Sequence, residues 1–182
     1  GLAVLAGLVA CKDPPSAPAA TATPIPTSAS VAKNVRIIDL GVVGAAAAIA
    51  KNGQFAGWVG GASINPHAAY WHGAILTDLG TVGGGVYSFA TDVNSRGQVV
   101  GWGETAEERR VAILWNDGVP TILPAVSGGW YNAAFTIDGN GDIVGASGEG
   151  NAVNYIPKAV MWRDGQGFEL GSVPPKGTRV KL

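Results

Sequence analysis

The densest array of potential ligands in the chain is Asp138-Gly139-Asn140-Gly141-Asp142. Oxygen donors at alternate positions of a short loop can wrap a hard cation, and Glu149 stands at the twelfth position, where such a loop takes its last carboxylate. Two features favour a plain turn instead. Ile143 occupies the position at which a calcium loop needs glycine for its sharp bend. The corresponding slots elsewhere, Ala50-Lys51-Asn52-Gly53 and Asn94-Ser95-Arg96-Gly97, have the chemistry of hairpin turns and no acidic series. No cofactor is expected, calcium at Asp138, Asn140, Asp142 and Glu149 being the one exception to test.

Other reactive groups are few. His67 and His72 are the only histidines, and their counterparts one and two repeats later are Val111 and Lys158, and Asn116 and Arg163. Positions filled so variously read as surface rather than as ligands or bases. The serines have no histidine and acid at a recognisable spacing, so no catalytic residue is assigned and the chain leans away from being an enzyme. Aromatic residues are the better candidates for contact with a ligand. Tyr87 follows Gly84-Gly85-Val86, and Trp130 and Tyr131 follow Gly128-Gly129, while Trp58 and Trp102 share a register that becomes Ala146. Rings on glycine-rich loops can stack on a sugar or hold a peptide; packing over the strand ends is the competing explanation.

These residues hang on a repeated frame. Gly53, Gly97 and Gly141 lie 44 residues apart, as do Gly57, Gly101 and Gly145; Trp71 to Trp115 is 44, and Trp115 to Trp162 is 47. A period of this length, with a tryptophan and paired glycines in each unit, marks a stacked β architecture. First strands are expected at 46–49, 90–93 and 134–137, second strands at 54–58, 98–102 and 142–146, and third strands at 68–71, 112–115 and 159–162. A closing strand is expected at 34–41, 75–80, 121–124 and 168–171. Turn glycines and the pairs Asp117-Gly118 and Asp164-Gly165 join neighbours into antiparallel meanders. Val99-Val100-Gly101-Trp102 and Ala112–Trp115 are apolar at successive positions, which implies sheets covered on both faces. The glycine inside each second strand implies a close approach by a neighbour, for which the repeated tryptophan is the candidate.

Hydrophobic residues make up 47% of the 182 and charged residues 14%, so the chain is globular in composition; its net charge of −1 and scattered basic residues argue against nucleic acid as a partner. The first ten residues, GLAVLAGLVA, are apolar but too short to span a bilayer as a helix. Leu8-Val9-Ala10-Cys11, ending in the only cysteine, resembles the lipobox of bacterial lipoproteins. That resemblance implies lipidation of Cys11 and a membrane partner through the lipid, in the cell envelope, with Lys12 pointing to the outer membrane or cell surface. Residues 12–33 are rich in Pro, Ala, Thr and Ser and read as an extended tether. The expected organisation is the remainder of a signal peptide over 1–10, the lipidation site and linker over 11–33, and a β-repeat domain over 34–182. Its units span about 34–74, 75–119 and 120–166, followed by the start of a fourth.

Across residues 36–171 the pattern is similar to the HAF repeats of extracellular bacterial proteins. The matching elements are Asp78-Leu79-Gly80 with Gly83–Gly85, then Ala90 to Gly101, and His67-Ala68-Ala69-Tyr70-Trp71. The motif's histidine becomes Val111 and Lys158, and its phenylalanine becomes Ala69, Ile113 and Val160. The resemblance implies an extracellular repeat protein and brings no settled activity. The expected fold is all-β, of antiparallel four-stranded repeats, β-propeller-like and a partial propeller, since three units fall short of the four to eight blades of a closed ring. The chain is expected to continue beyond both ends. The expected function is a lipid-anchored binding or scaffolding module for carbohydrate or protein at the cell surface. The alternatives are a fragment of a propeller hydrolase acting on glycans or peptides and a calcium-stabilised adhesion module.

Overall fold

A computed structural model describes residues 42–60, 65–126, 128–150 and 155–171. Cys11, the linker, the closing strand expected at 34–41 and the start of a fourth unit lie outside the described residues. Within them every element is a β-strand, in three consecutive four-stranded antiparallel meanders. The first contains β1 (Gly44–Ile49), β2 (Phe55–Val59), β3 (His67–His72) and β4 (Ile75–Gly80). The second contains β5 (Ser88–Val93), β6 (Val99–Glu104), β7 (Arg110–Asn116) and β8 (Val119–Ile122). The third contains β9 (Tyr131–Ile137), β10 (Ile143–Gly150), β11 (Tyr155–Arg163) and β12 (Gln166–Glu169). The second and third meet through one parallel bridge, Arg110 to Tyr131, so their hydrogen bonding is continuous only at the strand ends.

The turns follow from their residues. Asp117 and Gly118 have φ of 51° and 77°, and Asp164 and Gly165 have 50° and 74°. Two successive positive φ values make the hairpin turn whose twist matches the flanking strands, and Asp-Gly is one of the dipeptides that adopt it most readily. At the far end Ala50, Asn94 and Asp138 each donate their backbone N–H to the residue four ahead, closing a tight loop over the turn glycine.

The second-strand glycines have a different cause from the one expected. Each first strand carries one extra residue, Ala47, Thr91 or Phe135, where the register slips against its partner. The bulge drives a carbonyl across the strand: a Cβ added to Gly57, Gly101 or Gly145 would lie 1.9, 2.0 or 2.1 Å from the oxygen of Ala45, Phe89 or Ala133. The close neighbour is backbone, not tryptophan. Glycine is required there because no side chain fits beneath that oxygen.

The sheets pack face to face with the same sense at each junction. Ala56, Ala68 and Tyr70 of the first meander meet Val99, Ile113 and Trp115 of the second. Val100, Ala112 and Leu114 on the opposite side of the second meet Ile143, Val160 and Trp162 of the third. Trp71, Trp115 and Trp162 are all buried, as expected. The Trp115 indole donates to the Leu79 carbonyl at 3.1 Å and the Trp162 indole to Pro124 at 2.8 Å, so each is fixed to the edge of the preceding sheet. The Trp71 indole nitrogen has no such acceptor among the described residues.

Candidate functional site

The repeat places Trp58 of β2, Phe89 of β5 and Trp102 of β6 in one file, with Tyr87 just before β5. The Trp58 ring meets Phe89 edge-on at 6.1 Å, Phe89 stacks on Trp102 at 4.5 Å, and Tyr87 meets Phe89 edge-on at 6.2 Å. Arg110, the first residue of β7, continues the file: its guanidinium lies 3.8 Å from the centre of Trp102 and 4.6 Å from that of Tyr131. Tyr131 starts β9, so this one cation is held between rings of the second and third meanders. Its Nη1 donates to the Tyr131 hydroxyl at 2.9 Å, and its Nη2 lies 3.7 Å from a Glu104 carboxylate oxygen. The other Glu104 oxygen accepts the hydrogen bond of the Tyr87 hydroxyl. That bond, followed by burial and the Glu104 charge, raises the Tyr87 pKa above the usual phenol range.

Tyr87 and Tyr131 are equivalent residues 44 apart, and so are Trp58 and Trp102. The fold therefore joins four of the five candidate aromatics in one half-buried cluster. Trp130, the fifth, remains 50% exposed, with the Arg109 guanidinium 5.5 Å from its ring centre. Tyr131 belongs to a strand and not to the loop before it. Sequence reasoning missed Phe89, Glu104 and Arg110. The run Glu104 to Arg110 reads as a solvated loop, yet its two end residues are half-buried strand residues. The available signal was their flanking: each adjoins an apolar strand, where the stem of a long charged side chain packs.

The acidic loop is organised differently. Asp138 accepts hydrogen bonds from the backbone of Asn140 at 2.8 Å and of Asp142 at 2.9 Å, closing its own turn. The Asp142 carboxylate takes both hydrogen bonds of the Arg163 fork, one at 2.7 Å. Those bonds first, and then the charge of Arg163, lower the Asp142 pKa. Glu149 lies near the far end of β10, opposite Ile156, seven residues or roughly 20 Å of extended chain beyond Asp142. Among the described residues no group of three or more His, Cys, Asp and Glu is placed to hold a metal ion.

His67 has a simpler partner. Its Nδ1 lies 3.1 Å from the Asp78 carboxylate across the β3–β4 pair. The equivalent positions in the third meander are Lys158 and Glu169, also paired at 3.1 Å. In the second they are Val111 and Ile122. A basic and an acidic residue thus change together into two aliphatic residues, as expected of a cross-strand pair rather than a reactive histidine. Compared with family models, curated proteins and solved structures, the chain matches none.

Proposed function

We propose that the protein is a non-catalytic binding or scaffolding module of the bacterial cell envelope, anchored by a lipid on Cys11, that holds carbohydrate chains on the rim around Trp130. The observation that carries this reading is an indole half exposed beside a cluster whose other rings are locked. Arg109 covers part of the Trp130 ring, and Tyr131, the next residue, is clamped by Arg110. A ring held this way loses little freedom on stacking against a sugar, which favours binding. The common sense of both sheet junctions supports a partial propeller, with Trp130 on one rim. The lipobox-like Leu8–Cys11 and the HAF-like pattern support the address.

Sedimentation of the protein with insoluble cell-wall polysaccharide tests this. Trp130→Ala is expected to lose at least about 1.4 kcal/mol of affinity, a tenfold effect, while its melting temperature stays that of wild type. Equal sedimentation of both proteins would refute the reading.

The Tyr87–Glu104 contact gives a hydrolase its best support, because a carboxylate beside a hydroxyl is how a nucleophile is activated. The raised Tyr87 pKa weighs against it, since a nucleophilic phenol needs its proton removed easily. A calcium-stabilised module is weaker still, because the Asp142 carboxylate is occupied by Arg163.

A further inference from the structure

The third meander leaves open the face that the second meander buries. On the second, Val100, Ala112, Leu114 and Leu123 lie against the third. Their repeat mates, 44 or 47 residues on, are Val144, Ala159, Met161 and Leu170. Among the described residues no further meander lies on these. Leu123 is 5% exposed and Leu170 46%, and Ala112 is buried where Ala159 is exposed. The Thr91 hydroxyl and the Asp92 carboxylate reach across the junction to Ala134 and Thr136, so their mates Phe135 and Thr136 point to the open side. Thr121 pairs with Leu114, and its mate Phe168 pairs with Met161. Phe135 and Phe168 are both exposed.

This open face is more apolar than the buried one. Where the second meander has Thr91, Asp92 and Thr121, the third has Phe135, Thr136 and Phe168. A sheet face kept in water carries polar residues instead. The charges at its border, Asp142 and Arg163, bond each other and leave nothing for a charged ligand. Both junctions inside the chain show what such a face takes: another meander, laid sheet on sheet. Residues 172–182, which follow it in the chain, carry Lys176, Arg179 and Lys181 and have no apolar run to lay there. The first meander of a second copy cannot supply the cover either, because its remaining face is already buried at Ala69 and Trp71.

We propose that the outer face of the third meander is a dimer interface, on which the same face of a second copy of this chain packs about a two-fold axis. Sheets facing each other lie about 10 Å apart with their side chains interdigitated. Phe135, Met161 and Phe168 of each copy fill that space, and a thioether packs well against rings. Four strands about 4.8 Å apart and about six residues long make a face of roughly 400 Å². That is about half the area per partner of a standard interface, so the dimer is weak and dissociates on dilution. The interface shares no residue with the Trp130 rim.

The test is sedimentation equilibrium of the full chain from micromolar to millimolar concentration, with Cys11→Ser as the parent so that no disulfide can join two copies. The parent should pass from monomer to dimer. Phe135→Thr with Phe168→Thr should weaken dimerisation at least about tenfold. Threonine stands at both equivalent positions of the second meander, in the same bulge and edge strand, so this variant keeps the fold. Mixed with amino-terminally labelled parent, the double variant should form no heterodimer, because a two-fold contact needs the face on both copies. Trp130→Ala should dimerise as the parent does. The proposal is overturned if the parent stays monomeric throughout, if the double variant dimerises like the parent or joins it in a heterodimer, or if Trp130→Ala abolishes the dimer.

Discussion

Arg110 shows how much one side chain can organise in this protein. A guanidinium is flat and weakly hydrated, so it can lie against Trp102 and Tyr131 together while its edge reaches the Tyr131 hydroxyl and Glu104. A lysine ammonium has no plane to offer. This role was not legible in the sequence, because Arg110 ends a run of mixed charges and its aromatic partners come from two other strands. The Asp142–Arg163 pair is simpler and gives a pH prediction. Arg163 lowers the Asp142 pKa in the folded state, so the pair contributes fully above the ordinary carboxyl pKa of about 4. That contribution is lost as pH falls through the lower folded-state value. The pair is on the surface, so the effect is small. Asp142→Asn should lower the melting temperature slightly at neutral pH, and the two melting curves should converge in acid. A constant gap between them down to about pH 2, below the carboxyl range, would contradict the assignment.

At the scale of the strand, the bulge decides which residue can stand opposite it. Gly101→Ala puts a methyl group onto the Phe89 carbonyl, and the strands must part or the bulge must move. The expected loss is about 1–3 kcal/mol, measured by urea unfolding. Gly139→Ala is the control: an added Cβ there meets nothing within 4 Å and should change stability by less than about 0.5 kcal/mol. Equal effects at the two positions would contradict the bulge account. The glycine spacing was legible because the need recurs every 44 residues. Its cause was not, because the extra residue is Ala47, Thr91 or Phe135 and these share no chemistry a reader could align. The same bulge ties sheets together in one place: the Thr91 hydroxyl reaches the Ala134 carbonyl of the third meander at 2.9 Å.

Over the whole molecule, stability comes from sheets that cover one another. Each internal face is apolar because a neighbouring sheet lies on it, which is why the strands show no clean alternation of polar and apolar residues. Strand number, order and turn type were legible, since short apolar runs between Asp-Gly and Asn-x-x-Gly turns leave few arrangements. The aromatic file was legible only as separate rings. Phe89 and Trp102 are cross-strand neighbours in one meander, but the contacts that bring in Trp58 and Tyr131 cross between meanders, and spacing within one repeat does not encode those. The three in-register tryptophans, by contrast, announced the stack. Hydrogen exchange at the six indole N–H groups, followed by NMR, tests that stack most directly. Trp115 and Trp162, buried and bonded to the preceding sheet, should exchange only with global unfolding, while Trp130 should exchange at once. Rapid exchange at Trp115 and Trp162, at the rate of Trp130, would mean that the sheets do not stack in this way.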